Sequence, residues 1–194
     1  MPKIIVLEDP LTAGEHVELG VAYERNGELD LARREYEAAL RKDRNSFQAR
    51  QNLGNVFLAK KEYGKARAEY LRALELRPGD PEATNNLAWA AIDSGEGIGD
   101  ALKRMEAVVS APSGRRATLL DTLGVLRMRA NRPEAAAEAF TLAETLCGEA
   151  VAGSQEGTPA GAGCPDEVRR EIDLHRRELG RRFPSPASPP PLIK

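Results

Sequence analysis

The chain has 194 residues, 41% hydrophobic, 30% charged and only 5% aromatic, and its 28 basic and 30 acidic residues leave a formal net charge of -2. That length suits one ordinary domain or a short array of repeats, and so few aromatic residues favour an Ala- and Leu-rich helical core over a β-sandwich or a large ligand cavity. A near-balanced charge supplies no field to gather nucleic acid or anionic lipid, so neither is expected as a partner.

The opening MPKIIVLEDP has one lysine and a four-residue apolar run, short of the roughly 7 to 15 residues of a signal-peptide core. No stretch reaches the roughly 20 apolar residues of a membrane helix. The expected location is therefore cytoplasmic, with residues 1–11 an N-terminal extension. Thr12 and Glu15 have capping-box spacing, which predicts a helix beginning at about Thr12.

From there the chain repeats itself. Leu-small pairs fall at Leu19-Gly20, Leu53-Gly54, Leu87-Ala88 and Leu123-Gly124, in steps of 34, 34 and 36. A second series, Ala32, Ala66, Ala101 and Ala136, is followed four residues later by Tyr36, Tyr70, Met105 or Phe140, and then by Ala39, Ala73, Val108 and Ala143. Both series have helical spacing, so each unit reads as two amphipathic helices. Between them lie RNGE, KKEYG, DSGEGIGD and ANRPE. Gly27 and Gly95 suit left-handed helix exits there, and Pro133 suits a first helical position. The small residue of each Leu-small pair marks a close crossing of the two helices.

Four units are expected, at about 12–45, 46–79, 80–114 and 115–147. Residues 148–164, rich in Gly and Ala, are expected as a flexible loop. PDEVRREIDLHRRELGRRF then resumes helical spacing with Val168, Ile172, Leu179 and Phe183 on one face, which predicts a capping helix over 165–183. The Pro-rich tail 184–194 is expected to be disordered.

This pattern resembles the tetratricopeptide repeat (TPR) family, whose motif runs W-x2-L-G-x2-Y, A-x3-F, A and P over 34 residues. The second unit matches best, with Leu53, Gly54, Phe57, Ala66, Tyr70, Ala73 and Pro78, although Arg50 replaces the first aromatic. The first matches Leu19, Gly20, Tyr23, Ala32, Tyr36 and Ala39, with Arg44 in place of Pro. The third is degenerate, and the fourth has Arg127 at an aromatic position. The resemblance implies an all-α solenoid of four helix-turn-helix repeats plus the C-terminal cap.

Parts for catalysis are not assembled. His16 and His175 lie far apart, GEGIG at 95–99 lacks the lysine and Ser/Thr of a phosphate loop, and the carboxylates belong to mixed-charge faces. No catalytic residue, cofactor or metal site is expected. Cys147 and Cys164 lack metal or CxxC spacing and are read as free thiols.

The resemblance also implies where a partner would sit, because first helices of such repeats line a concave face at set motif positions. Those positions carry Gln48, Gln51, Asn52 and Asn55 in the second unit, Asn85, Asn86 and Trp89 in the third, and Asp121 and Val125 in the fourth. An Asn side chain offers a donor and an acceptor together, so amides on adjacent helices can hold the backbone of an extended peptide without reading its sequence. Packing against neighbouring helices is the competing reading. TPR domains that clamp acidic C-termini share the Asn pair but add basic groups where this chain has Gln51, Thr118 and Thr122, so that clamp is not expected.

The expected function is a protein–protein interaction scaffold that binds a peptide segment or supports assembly of a complex. A structural subunit self-associating weakly through its C-terminal helix is the alternative. The stretch VLEDPLTAGEHVELGVAYE also looks similar to the start of TPR arms on some bacterial papain-like peptidases, which makes an accessory arm of a peptidase or export system a third reading.

Overall fold

The computed structural model describes residues 9–111, 116–152 and 164–184. Among them nine α-helices form, and no strand: α1 (Ala13–Arg25), α2 (Leu29–Lys42), α3 (Phe47–Ala59), α4 (Tyr63–Leu76), α5 (Pro81–Ser94), α6 (Ile98–Ser110), α7 (Ala117–Arg129), α8 (Pro133–Ala152) and α9 (Asp166–Arg182). They divide into two compact units between Ser94 and Gly95.

Helix starts follow their local chemistry. The Thr12 hydroxyl accepts from the Glu15 amide at 3.2 Å while the Glu15 carboxylate accepts from the Thr12 amide at 2.7 Å, completing the expected box. Ser46 caps α3 by accepting from the Ala49 amide, and Asp80 accepts from the Ala83 amide at the start of α5. Pro81 and Pro133 open their helices, where the missing N–H is no loss. The turns after α1, α3, α5 and α7 each place a left-handed residue just past the helix, at Gly27, Lys61, Gly95 and Asn131, with φ of 78°, 59°, 74° and 59°. Two of these are not glycine, so the repeat keeps the backbone conformation even where its preferred residue is lost.

In the first unit α1 packs antiparallel on α2 and α3 on α4, with α3 lying chiefly on α2 and α5 on α4. The Leu-small pair explains the hairpins. A Cβ placed on Gly20 would fall 2.5 Å from Tyr36 Cε1, and one on Gly54 would fall 2.5 Å from Tyr70 Cε1. Both rings are fully buried. The absent side chain is what lets a whole tyrosine enter each hairpin, where its burial contributes most per residue to the core. Leu53, Val56, Ala66, Ala73 and Leu87 complete that core.

In the second unit α7 packs on α8 by the same rule, since a Cβ on Gly124 would overlap the Phe140 ring at Cε1. Arg127, at the aromatic motif position, folds back so that its guanidinium donates to the Ala135 carbonyl at 3.0 Å and to Glu106 at 3.3 Å. α9 lies chiefly on α8 and also touches α7, as α3 lies on α2 and touches α1. It buries Ile172 and Leu179 while Arg170, Asp173 and Arg177 remain exposed.

Two expectations change. α8 continues to Ala152, so the first residues of the supposed loop are helical; Glu149, Ala150 and Ala152 are good helix formers, and one Gly costs only about 1 kcal/mol. Residues 153–163 and the tail from 185 lie outside the described residues. The free-thiol reading of Cys147 and Cys164 also fails, because their sulfurs form a disulfide across 17 residues with the Cα atoms 4.7 Å apart. Helix α9 brings Cys164 back to the buried Cys147 on α8, a proximity that spacing alone does not reveal.

Candidate functional site

In the first unit the polar positions of α3 and α5 form a connected set of amides. The Tyr70 hydroxyl, buried with its ring, donates to Asn55 Oδ1 at 2.8 Å, and Asn86 Nδ2 donates to the same oxygen at 3.0 Å. That carbonyl therefore joins α3, α4 and α5. Asn52 accepts from Gln48 Nε2 at 3.0 Å, and Gln51 Nε2 reaches Glu82 on α5 at 3.4 Å. Tyr36 donates to Glu24 at 2.7 Å. Burial first, and then Glu24, pushes the Tyr36 hydroxyl well above its ordinary pKa; burial does the same for Tyr70. Both phenols stay protonated and act as donors.

Burial separates these residues by task. Gln51 and Asn52 are each only 7% exposed, whereas Asn55, Asn85, Asn86 and Trp89 are half-buried and Gln48 is exposed. Asn55 and Asn86 each keep one amide group unused. Asn55 Oδ1 accepts twice while its Nδ2 has no partner among the described residues, and Asn86 uses one N–H of Nδ2 while its Oδ1 has no partner among them. One donor and one acceptor thus remain on adjacent helices, the complement that a peptide unit in an extended strand presents. Trp89 lies one turn beyond Asn86 on α5.

Asp121 and Val125 sit differently. Both are buried in the second unit, and both Asp121 carboxylate oxygens lie 2.9–3.0 Å from His175 Nδ1 of α9. The Asp121 hydrogen bond raises the His175 pKa above its ordinary value against the opposing effect of burial. The ring also stacks on Phe140, with centroids 6.1 Å apart. Asp121 anchors α9, and neither position is an open surface. The sequence placed a capping helix at 165–183, but not its His175 on Asp121.

His16 is also a packing residue, only 3% exposed, with Asp9 2.8 Å from one ring nitrogen and Glu35 2.7 Å from the other. Among the described residues no three His, Cys, Asp or Glu side chains gather as a metal site, and no helix is long and apolar enough to cross a membrane.

Antiparallel helix pairs with a small residue at each crossing, and polar amides on successive first helices, define an all-α helical-repeat protein of the solenoid class. Residues 17–81 match the family model described as Tetratricopeptide repeat, and the fold is that of a tetratricopeptide-repeat solenoid. Solved structures agree. The chain is similar to MamA 41-end from Desulfovibrio magneticus RS-1, at 20% identity and a TM-score of 0.65 over 91% of this chain and 97% of that one. It is also similar to TTC0263, a thermophilic TPR protein in Thermus thermophilus, at 19% identity and 0.62 over 87% and 84%. A MamA RS-1 double mutant matches at 24% identity and 0.64 over 74% and 78%. At these identities the likeness establishes the fold alone. No curated protein matches the chain. Tetratricopeptide repeats serve in general as scaffolds for protein–protein interaction.

Proposed function

We propose that this chain is an interaction scaffold whose α3–α5 face holds an extended peptide segment of a protein partner. The observation that carries this reading is the pair of unused amide groups, Asn55 Nδ2 and Asn86 Oδ1, on adjacent helices beside Trp89. A backbone N–H and C=O of the peptide would take these two groups, which accounts for affinity without a strict sequence requirement. Self-association through α9 is less well supported, since Ile172 and Leu179 are already 1% and 9% exposed against their own unit. Nothing in either unit favours the peptidase-arm reading.

The test is selection of binding segments from a random-peptide display library on the full chain, followed by titration while Trp89 emission is recorded. Asn86→Ala should weaken the selected peptides by at least about tenfold, the worth of about 1.4 kcal/mol, with unchanged helical content. Peptides that bind the Asn86→Ala variant equally well and leave Trp89 emission unmoved would refute the assignment. Location bears on the disulfide. Disulfides persist in oxidising compartments and are reduced in the cytosol, so a cytoplasmic chain would carry these sulfurs as thiols. Counting free thiols on protein from its natural source decides between the two.

A further inference from the structure

Two departures from the repeat pattern meet in one place. Arg44 stands where the motif has Pro and Arg50 where it has an aromatic residue, and Arg50 Nη2 donates to the Arg44 carbonyl at 2.7 Å. Both line an open hollow of about 490 Å³ between α2, α3 and α4. Its floor is apolar, made by Leu40, Leu53 and Phe57. One wall is a fixed charge cluster in which Glu69, 8% exposed, is shared by Arg50 Nη1 at 3.0 Å and by Arg72. Two guanidiniums on one carboxylate leave that wall positive.

The opposite rim carries Arg41 and Arg44, both exposed. Neither side chain makes a hydrogen bond or ion pair among the described residues, and Glu37 beside them is approached only by Arg33, at 4.0 Å. Four arginines against two glutamates give the hollow a net positive charge, although the whole chain is slightly acidic. Arg50 has a packing task, as a tethered substitute for the aromatic side chain. Arg41 and Arg44 have none. Their guanidiniums present forked donors on the edge of an apolar depression.

We propose that this hollow is a second binding site, which takes an acidic peptide segment of a protein partner, its carboxylates on Arg41 and Arg44 and an apolar side chain on Leu40, Leu53 and Phe57. The chemistry favours carboxylates over a polyphosphate. Glu37 and Glu69 line the same hollow and would repel a densely charged strand, while the apolar floor offers nothing to a phosphate chain. The site is distinct from the amide face, since Arg50, Leu53 and Phe57 lie on one stripe of α3 and Gln48, Asn52 and Asn55 on another.

The test uses the full chain and a fluorescein-labelled hexapeptide, Glu-Glu-Phe-Leu-Glu-Glu, read by anisotropy at low salt. Saturable binding tighter than about 0.5 mM is expected, weakened as salt rises and the carboxylates are screened. Exchanging the four Glu for Gln, or Phe-Leu for Ser-Ser, should each abolish it. The double variant Arg41→Glu/Arg44→Glu should bind at least about tenfold more weakly, and Arg41→Gln/Arg44→Gln should fall between. Circular dichroism should be unchanged in both, because neither side chain holds the fold. Asn86→Ala should bind the hexapeptide as wild type does. The proposal is overturned if wild type fails to bind the hexapeptide, if the arginine variants bind it equally, or if a uridine hexanucleotide binds more tightly.

Discussion

Replacing Gly54 by Ala tests the packing rule shared by the α1–α2, α3–α4 and α7–α8 hairpins. The new methyl would sit 2.5, 2.8 and 3.0 Å from three ring carbons of Tyr70, where carbon atoms prefer about 3.5–4.0 Å. The ring must therefore retreat by roughly 1 Å. It has nowhere to go, since it is fully buried and its hydroxyl is tied to Asn55. Overpacking typically costs about 1–3 kcal/mol, and three simultaneous overlaps put this case near the top of that range. Against about 3 kcal/mol stands a gain of about 1 kcal/mol from the better helix propensity of Ala, for a net loss of about 2 kcal/mol. That corresponds to a Tm lower by about 4–8 °C for a chain of this size. Urea unfolding followed by circular dichroism measures it. Gly64→Ala is the control, because a Cβ there meets nothing within 4 Å, and it should be neutral or stabilise by up to about 1 kcal/mol. In a Tyr70→Leu background the cost of Gly54→Ala should shrink markedly, since the cycle isolates the contact. A Gly54→Ala protein as stable as wild type, or an equal cost in both backgrounds, would refute the reasoning.

Other expectations concern the turns and α9. Lys61→Gly should stabilise by about 0.5–1 kcal/mol, because Lys61 holds φ at 59° and glycine accepts that region without strain; a loss of stability by urea titration would count against it. Replacing Cys147 and Cys164 by Ser together should cost about 3 kcal/mol, the loop-closure value for roughly 15 residues. Amide exchange should then quicken in α9 and not in α1 to α4, and unaltered α9 protection would contradict this. The His175 pKa is raised in the folded state by Asp121, so its contribution is fully present below the unfolded value of about 6.5 and is lost as pH rises through the folded one. Stability of the second unit should decline above about pH 6.5 in wild type, and a His175→Gln variant should lose that slope. Asp121 on α7 and Glu171 and Glu178 on α9 face the imidazole, and retention of the full slope in His175→Gln would assign it to another group.

Periodicity and local spacing determined the helical hairpins, the Leu-small crossings and the Thr12 capping box, because each depends on residues within one turn or one repeat of each other; the TPR family entered by resemblance. The close crossing at Gly54 was legible for that reason, while the Tyr70 ring that fills it came from the structure. The resemblance to TPR repeats also implied which positions line the concave face, and so singled out Gln51, Asn52, Asn86, Asp121 and Val125 together. Only tertiary structure decided their depth. A helical period states the direction of a side chain, not what lies over it. Gln51 and Asn52 are enclosed by their neighbours, and Asp121 is covered by α9, which returns from 54 residues away to place His175 on it. The same long-range closure turned two unremarkable cysteines into a disulfide. In the first unit the packing of α2, α3 and α4 gathered Arg41, Arg44, Arg50 and Arg72, which the sequence scatters among mixed charges, around one apolar hollow.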